Sequence, residues 1–141
     1  MIAHDPANFD AWRGLERVEL ARGALEEAWK CAQEAARLRP GFPAILADQA
    51  WILARAESGP LAQPKQALEL AEQALARGGE QPALLDAFAL AAAANGDFAR
   101  AIPALEKVRD LLREVDPGWS ARASRRLAAC RAGRVDRETP R

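Results

Sequence analysis

Residues 84–105, LLDAFALAAAANGDFARAIPAL, decide the fold. The stretch reads as two short helices folded back on each other at Asn95-Gly96-Asp97. Apolar residues recur at Leu85, Phe88, Ala89 and Ala92 in the first half, and at Phe98, Ala101, Ile102 and Leu105 in the second. Both sets follow helical spacing, so each helix carries one apolar stripe. Asn-Gly-Asp suits a turn and not a helix interior. Short isolated helices are marginal in water. A hairpin of this size therefore needs neighbours of its own kind to cover its stripe.

The rest of the chain supplies them. Periodicity predicts helices over residues 11–21, 25–38, 44–56, 65–77 and 119–132, and extends the second helix of the hairpin to residue 114. Breaks fall at Arg22-Gly23, Pro40-Gly41-Phe42-Pro43, the loop 57–64, Gly78-Gly79, Asp116-Pro117-Gly118 and Gly133. Asp10 or Asn8 can cap the first helix. The last helix reads as a lid, with Ala123, Leu127 and Cys130 facing inward, and the polar tail after it reads as frayed.

The chain of 141 residues is one domain's worth, and half of it is hydrophobic, enough for a continuous core. Much of that half is alanine, with no tyrosine, which points to helices packed closely together. Formal net charge is zero, so nothing in the whole-chain balance draws it to nucleic acid or to an anionic membrane. The distribution is uneven: from Gly118 onward seven arginines face only Asp136 and Glu138. Cys31 and Cys130 sit inside helical patterns and are expected as buried apolar thiols; a disulfide stays open. The N-terminus lacks a signal-peptide profile and no apolar run reaches membrane-spanning length. The expectation is a cytoplasmic protein, or a periplasmic one if the chain is part of a longer exported protein.

A repeat organises the helices. Pro6 and Pro40 stand 34 residues apart, and each closes a unit. Gly23 precedes Ala28 by five residues, Gly96 precedes Ala101 by five, and Ala67 plays the same part after a longer loop. The units run over 9–42, 43–81 and 82–115, with a capping helix at 118–132 and a tail at 134–141. The middle unit holds 39 residues, the 34-residue period plus five inserted between its helices. Two helices per unit at this period is the spacing of tetratricopeptide repeats.

The residues resemble that family. Its pattern places Trp, Leu, a small residue and Tyr on the first helix, then Ala, a bulky residue, Ala and Pro. The first unit has Trp12, Leu15, Ala28, Ala32, Ala35 and Pro40, and departs at Glu16 and Glu19, where the small residue and the Tyr are expected. The middle unit has Leu46, Ala50, Leu53, Ala67, Ala71 and Ala74, with Gln49 at a Leu position. The last has Leu85, Phe88, Ala89, Ala92, Ala101, Leu105 and Val108. ALELAEQAL at 67–75, PALLDAFALAAAANGDFARAI at 82–102, and Ala-Trp-Ile-Leu-Ala at 50–54 before a proline-containing loop look like a bacterial subset of the family. So does the ending RRLAACRAGRVDRE at 125–138, with Cys130 where that subset has Tyr. The resemblance implies an all-α fold, a right-handed α-solenoid of antiparallel helix pairs with about seven helices.

No constellation of catalytic or metal-binding residues accompanies this. His4 is the single histidine, and it reads as a solvated surface residue. A zinc site needs several Cys or His at close spacing. No nucleophile has a base partner, and Gly78-Gly79 is a helix stop with no phosphate-loop pattern around it. Glu26-Glu27 reads as a solvated face. The expectation is a non-enzymatic chain without metal or cofactor. Arg122, Arg125 and Arg126 share one helical side, with Arg131, Arg134 and Arg137 beyond; a solvated lid face is the expectation, and contact with phosphates is the alternative.

In the family the first helices line a concave surface that holds extended peptides. The resemblance carries groove positions over to Asp10, Arg13 and Arg17 in the first unit, Asp48, Trp51 and Arg55 in the middle unit, and Asp86 and Leu90 in the last. The subset that grips C-terminal carboxylates uses Lys and Asn; here Arg13, Arg17 and Asp48 stand in those places, so the clamp is incomplete. Arginines near one tryptophan suit an acidic segment with an aromatic or aliphatic anchor. The alternative for Trp51 is packing against the loop 57–64. The functional expectation is a protein–protein interaction module that binds a peptide or protein partner, with no nucleic acid and no membrane. Two alternatives stay open: a C-terminal or regulatory fragment of a repeat-bearing enzyme such as a glycosyltransferase, and a scaffold that self-assembles as a homo-oligomer through its first helix. The opening Asp5-Pro6-Ala7-Asn8 reads as one repeat handing over to the next, so the chain is expected to start inside a larger array or to be part of a longer protein.

Overall fold

A computed structural model of the chain describes residues 7–137. The readings placed on His4 and Pro6, and on the tail from 138 onward, lie outside the described residues. Within them there are seven helices and no strand: α1 Phe9–Ala21, α2 Leu25–Leu38, α3 Pro43–Arg55, α4 Pro64–Gly78, α5 Pro82–Ala94, α6 Phe98–Leu112 and α7 Pro117–Arg131. The fold is an all-α helical repeat arrangement. Consecutive helices pair as α1/α2, α3/α4 and α5/α6, the pairs stack through α2 on α3 and through α3 and α4 on α5, and α7 packs on α6.

The helix starts differ from the periodicity in one systematic way. Pro43, Pro64, Pro82 and Pro117 each open a helix and do not merely precede one. At the first helical position a missing N–H costs nothing, and the fixed φ of proline suits the helix. α1 begins at Phe9, capped by Asn8, whose Oδ1 accepts from the Ala11 amide at 3.0 Å; Asp10 lies in the first turn. Asp97 and Asp116 cap α6 and α7 in the same manner.

The second helices bury residues at the same offsets, all alanine on α2 and α4, with larger ones on α6. Ala28, Ala32 and Ala35 on α2, Ala67, Ala71 and Ala74 on α4, and Ala101, Leu105 and Val108 on α6 are all buried. Small side chains let helix axes approach to about 8–10 Å. Gly78 sits at a close approach: a Cβ there would lie 2.5 Å from Leu84 Cδ1 and 2.9 Å from Pro43 Cβ. It is thus a packing residue as well as a helix stop. Asn95 ties the α5–α6 turn to the unit before it, donating to the Pro64 carbonyl at 2.7 Å and to the Ala91 carbonyl at 2.8 Å.

One core runs through the stack from Leu20 to Cys130. A satellite of Phe9, Ala35 and Ile45, with Trp12 and Phe42 against it, closes the far end of the first pair. There the Phe9 and Phe42 rings meet edge-on at 5.2 Å, and Arg39 sits 4.2 Å from the Phe9 ring centre.

Two sequence expectations change. Leu15, a packing position in the repeat pattern, is exposed, as is Val18 one turn on, because no described helix covers that side of α1. Glu16, where the repeat pattern asks for a small residue, is fully buried in their place. The tail also does not fray over its described part. Val135 packs on the core, and Arg137 Nε donates to the Ala54 carbonyl at 3.0 Å. Among the described residues no helix is long and apolar enough to cross a membrane.

Candidate binding groove

The residues expected to line one groove separate into four settings. Arg13 and Asp48 face each other, with Arg13 Nη2 at 3.5 Å from Asp48 Oδ2 and the Asp48 side chain 2% exposed. This pair joins α1 to α3 and leaves little of either for a ligand. Asp86 and Leu90 lie in the interior. Asp10 is exposed on the first turn of α1. Only Arg17, Trp51 and Arg55 share a cavity.

That cavity holds about 500 Å³ and is bounded by α1, α3, α5 and α7. Glu16, Arg17, Leu20 and Ala21 come from α1, Trp51 and Arg55 from α3, Ala83 from α5, and Trp119 and Arg122 from α7, beside its cap Asp116. Arg55 is pinned by its Nη1, which donates to the Leu20 carbonyl at 3.2 Å. Arg17 and Arg122 have no carboxylate within ion-pair reach among the described residues, and Arg122 Nε is buried without a hydrogen-bond partner among them. A buried donor without a partner is costly, so such a group is poised to donate to an incoming oxygen.

α7 decides what remains open. Its residues Trp119 and Arg126 reach across to Asp86 on α5 and take both carboxylate oxygens. Arg126 Nη1 donates to Oδ1 at 2.6 Å, and Trp119 Nε1 donates to Oδ2 at 2.9 Å. The pair is almost sealed from solvent, with side-chain exposures of 3% for Arg126 and none for Asp86. The Arg126 guanidinium also lies 4.8 Å from the Trp51 ring centre, a cation–π distance. Trp51 is therefore held under α7. The expected wet lid face holds for Arg125 and fails for Arg126, which is one of the least exposed charges in the molecule.

The sequence reading missed Glu16, Trp119, Arg122 and Arg126. A signal for three of them was present. Trp119, Arg122 and Arg126 recur at i, i+3 and i+7, one helical face, and that face points inward. Among the described residues no group of three His, Cys, Asp or Glu side chains is placed to hold a metal ion. No family model matches this chain, and no curated protein matches it either.

Proposed function

We propose that the chain is a non-catalytic protein–protein interaction module of tetratricopeptide-like type, and that its cavity between α1, α3 and α7 receives an acidic segment anchored by one apolar side chain. The observation that carries this reading is the composition of the cavity. Its lining sets Leu20, Trp51 and Trp119 beside Arg17 and Arg122, neither of which is in an ion pair among the described residues, with Glu16 and Asp116 as the acids present. Buried aromatic floors with arginine rims are where interface energy concentrates. Guanidinium groups bind carboxylates through paired, charge-assisted bonds.

Peptide display against the full chain, followed by anisotropy titration of a selected peptide, tests it. Selection should enrich Asp/Glu flanking a Leu, Phe or Trp, and Arg17→Glu/Arg122→Glu should weaken binding at least roughly tenfold, about 1.4 kcal/mol. Enrichment of basic or uniformly polar peptides, or indifference to the double variant, sinks the reading. A second reading, self-association through α1, is favoured by the exposure of Leu15 and Val18. Sedimentation equilibrium decides it: a strict monomer at high concentration removes it.

A further inference from the structure

A second cavity lies beyond Arg55, away from the tryptophans. It encloses about 580 Å³ between the α1–α2 turn, the C-terminal end of α3, α7 and the folded part of the tail. Arg55, Arg125, Arg134 and Arg137 line it against Glu57 and Asp136. Two of these guanidinium groups are oriented by main chain. Arg55 is bonded to the Leu20 carbonyl at 3.2 Å, and Arg137 to the Ala54 carbonyl at 3.0 Å. A carbonyl fixes a guanidinium without neutralising it, and uses only one of its five N–H donors. The Arg137 contact with Glu57 is long, at 4.0 Å, and the Glu57 side chain is 78% exposed, so water and salt weaken it. Arg125 and Arg134 are exposed and have no carboxylate within ion-pair reach among the described residues.

We propose that this cleft is a polyphosphate site, taking a short chain of linked phosphates, either free or carried on a nucleotide. Four guanidinium groups against two carboxylates call for a ligand with more than one negative charge. The planar fork of arginine matches phosphoryl oxygens two at a time. The volume admits several phosphates, and the uncharged wall is Gly23, Leu25, Ala128, Ala129 and Val135. Among the described residues no aromatic ring lines the cavity to stack a base. Recognition therefore lies in the phosphates, and a nucleoside attached to them adds little. The inference does not rest on the peptide groove: Arg125 and Arg134 line only the second cavity, and Arg17 and Arg122 only the first.

Calorimetric titration of the full chain with sodium tripolyphosphate, and separately with adenosine triphosphate, at matched ionic strength tests it. The expected result is saturable one-to-one binding of both, within roughly fivefold of each other. Arg125→Ala/Arg134→Ala should weaken both at least roughly tenfold, while Arg122→Ala stays within about twofold. Circular dichroism of the double variant checks that its helices are retained, as expected for two exposed side chains. The proposal is overturned by the absence of saturable binding, by an unchanged affinity in the double variant, or by tricarballylate binding as tightly as tripolyphosphate. Nucleotide binding far tighter than tripolyphosphate overturns the phosphate-only recognition in the same way.

Discussion

α1 and α5 are each the first helix of a hairpin, and each is thirteen residues long. α5 is buried without interruption from Leu84 to Ala93, whereas α1 buries only Phe9, Glu16 and Leu20. The difference lies in neighbours. α5 is enclosed by α3, α4 and α6 and roofed by Trp119 and Arg126 from α7. α1 packs extensively on α2 alone and is tied to α3 by long side chains, through Arg13 to Asp48 and through Arg55 to the Leu20 carbonyl. In a stack whose stability sums over neighbour contacts, similar helical patterns become core in the middle and surface at an end. Asp86 on α5 is sealed against a cation, while Asp10 in the first turn of α1 is left in water.

The sharpest break of this comparison is electrostatic. Asp86→Ala leaves Arg126 buried without its carboxylate and should cost about 3–5 kcal/mol in denaturant unfolding. Asp10→Ala should stay within about 0.5 kcal/mol. Equal effects would show that burial at α5 is not what separates the two helices. Replacing both members, Asp86→Leu with Arg126→Met, should recover most of the loss, since breaking a buried ion pair costs more than replacing it by apolar side chains.

Packing comes next. Leu105 is 1% exposed, and Leu105→Ala should cost roughly 2–5 kcal/mol, with Phe88→Ala in the same range. Leu15→Ala and Val18→Ala should each shift the unfolding midpoint by less than about 0.5 kcal/mol equivalent. A large loss at Leu15 would mean that something covers α1 in solution. Hydrogen exchange sharpens the contrast without mutation. Amides in the middle of α5 should exchange only through global opening, and those of α1 through smaller, cheaper openings. Uniform protection across both helices would contradict the neighbour account.

The smallest effect concerns the thiols. Burial pushes the Cys31 and Cys130 thiols above their ordinary value of 9.0, and Glu19 and Glu16 push Cys31 further. The folded chain then holds these protons more tightly than the unfolded chain does. Stability should therefore begin to fall as pH rises past 9.0, and be unaffected by these groups below it. Cys31, on the more loosely held pair, should react with a thiol reagent before Cys130. The reverse order would place the weaker pair at the other end.

The helices were legible because their signals are local. Three-residue turns at Arg22-Gly23-Ala24 and Asn95-Gly96-Asp97, and the alanine stripes of α2 and α4, need no distant information to be read. The groove was less legible. Arg13, Arg17, Asp48 and Trp51 carry similar spacing signals, yet two pair with each other, one lies beneath Arg126, and one stays open.

Sequence alone determined the number of helices, their turns and the phase in which small residues recur, since a 3.6-residue period and the preferences of glycine and proline act within a few residues. Tertiary structure alone decided which charges are inside. Whether Arg126 or Arg125 faces the interior depends on where α7 comes to rest against α5 and α6. Two arginines that are adjacent in sequence point to different sides of a helix, and only the neighbouring helices decide which of those sides is dry.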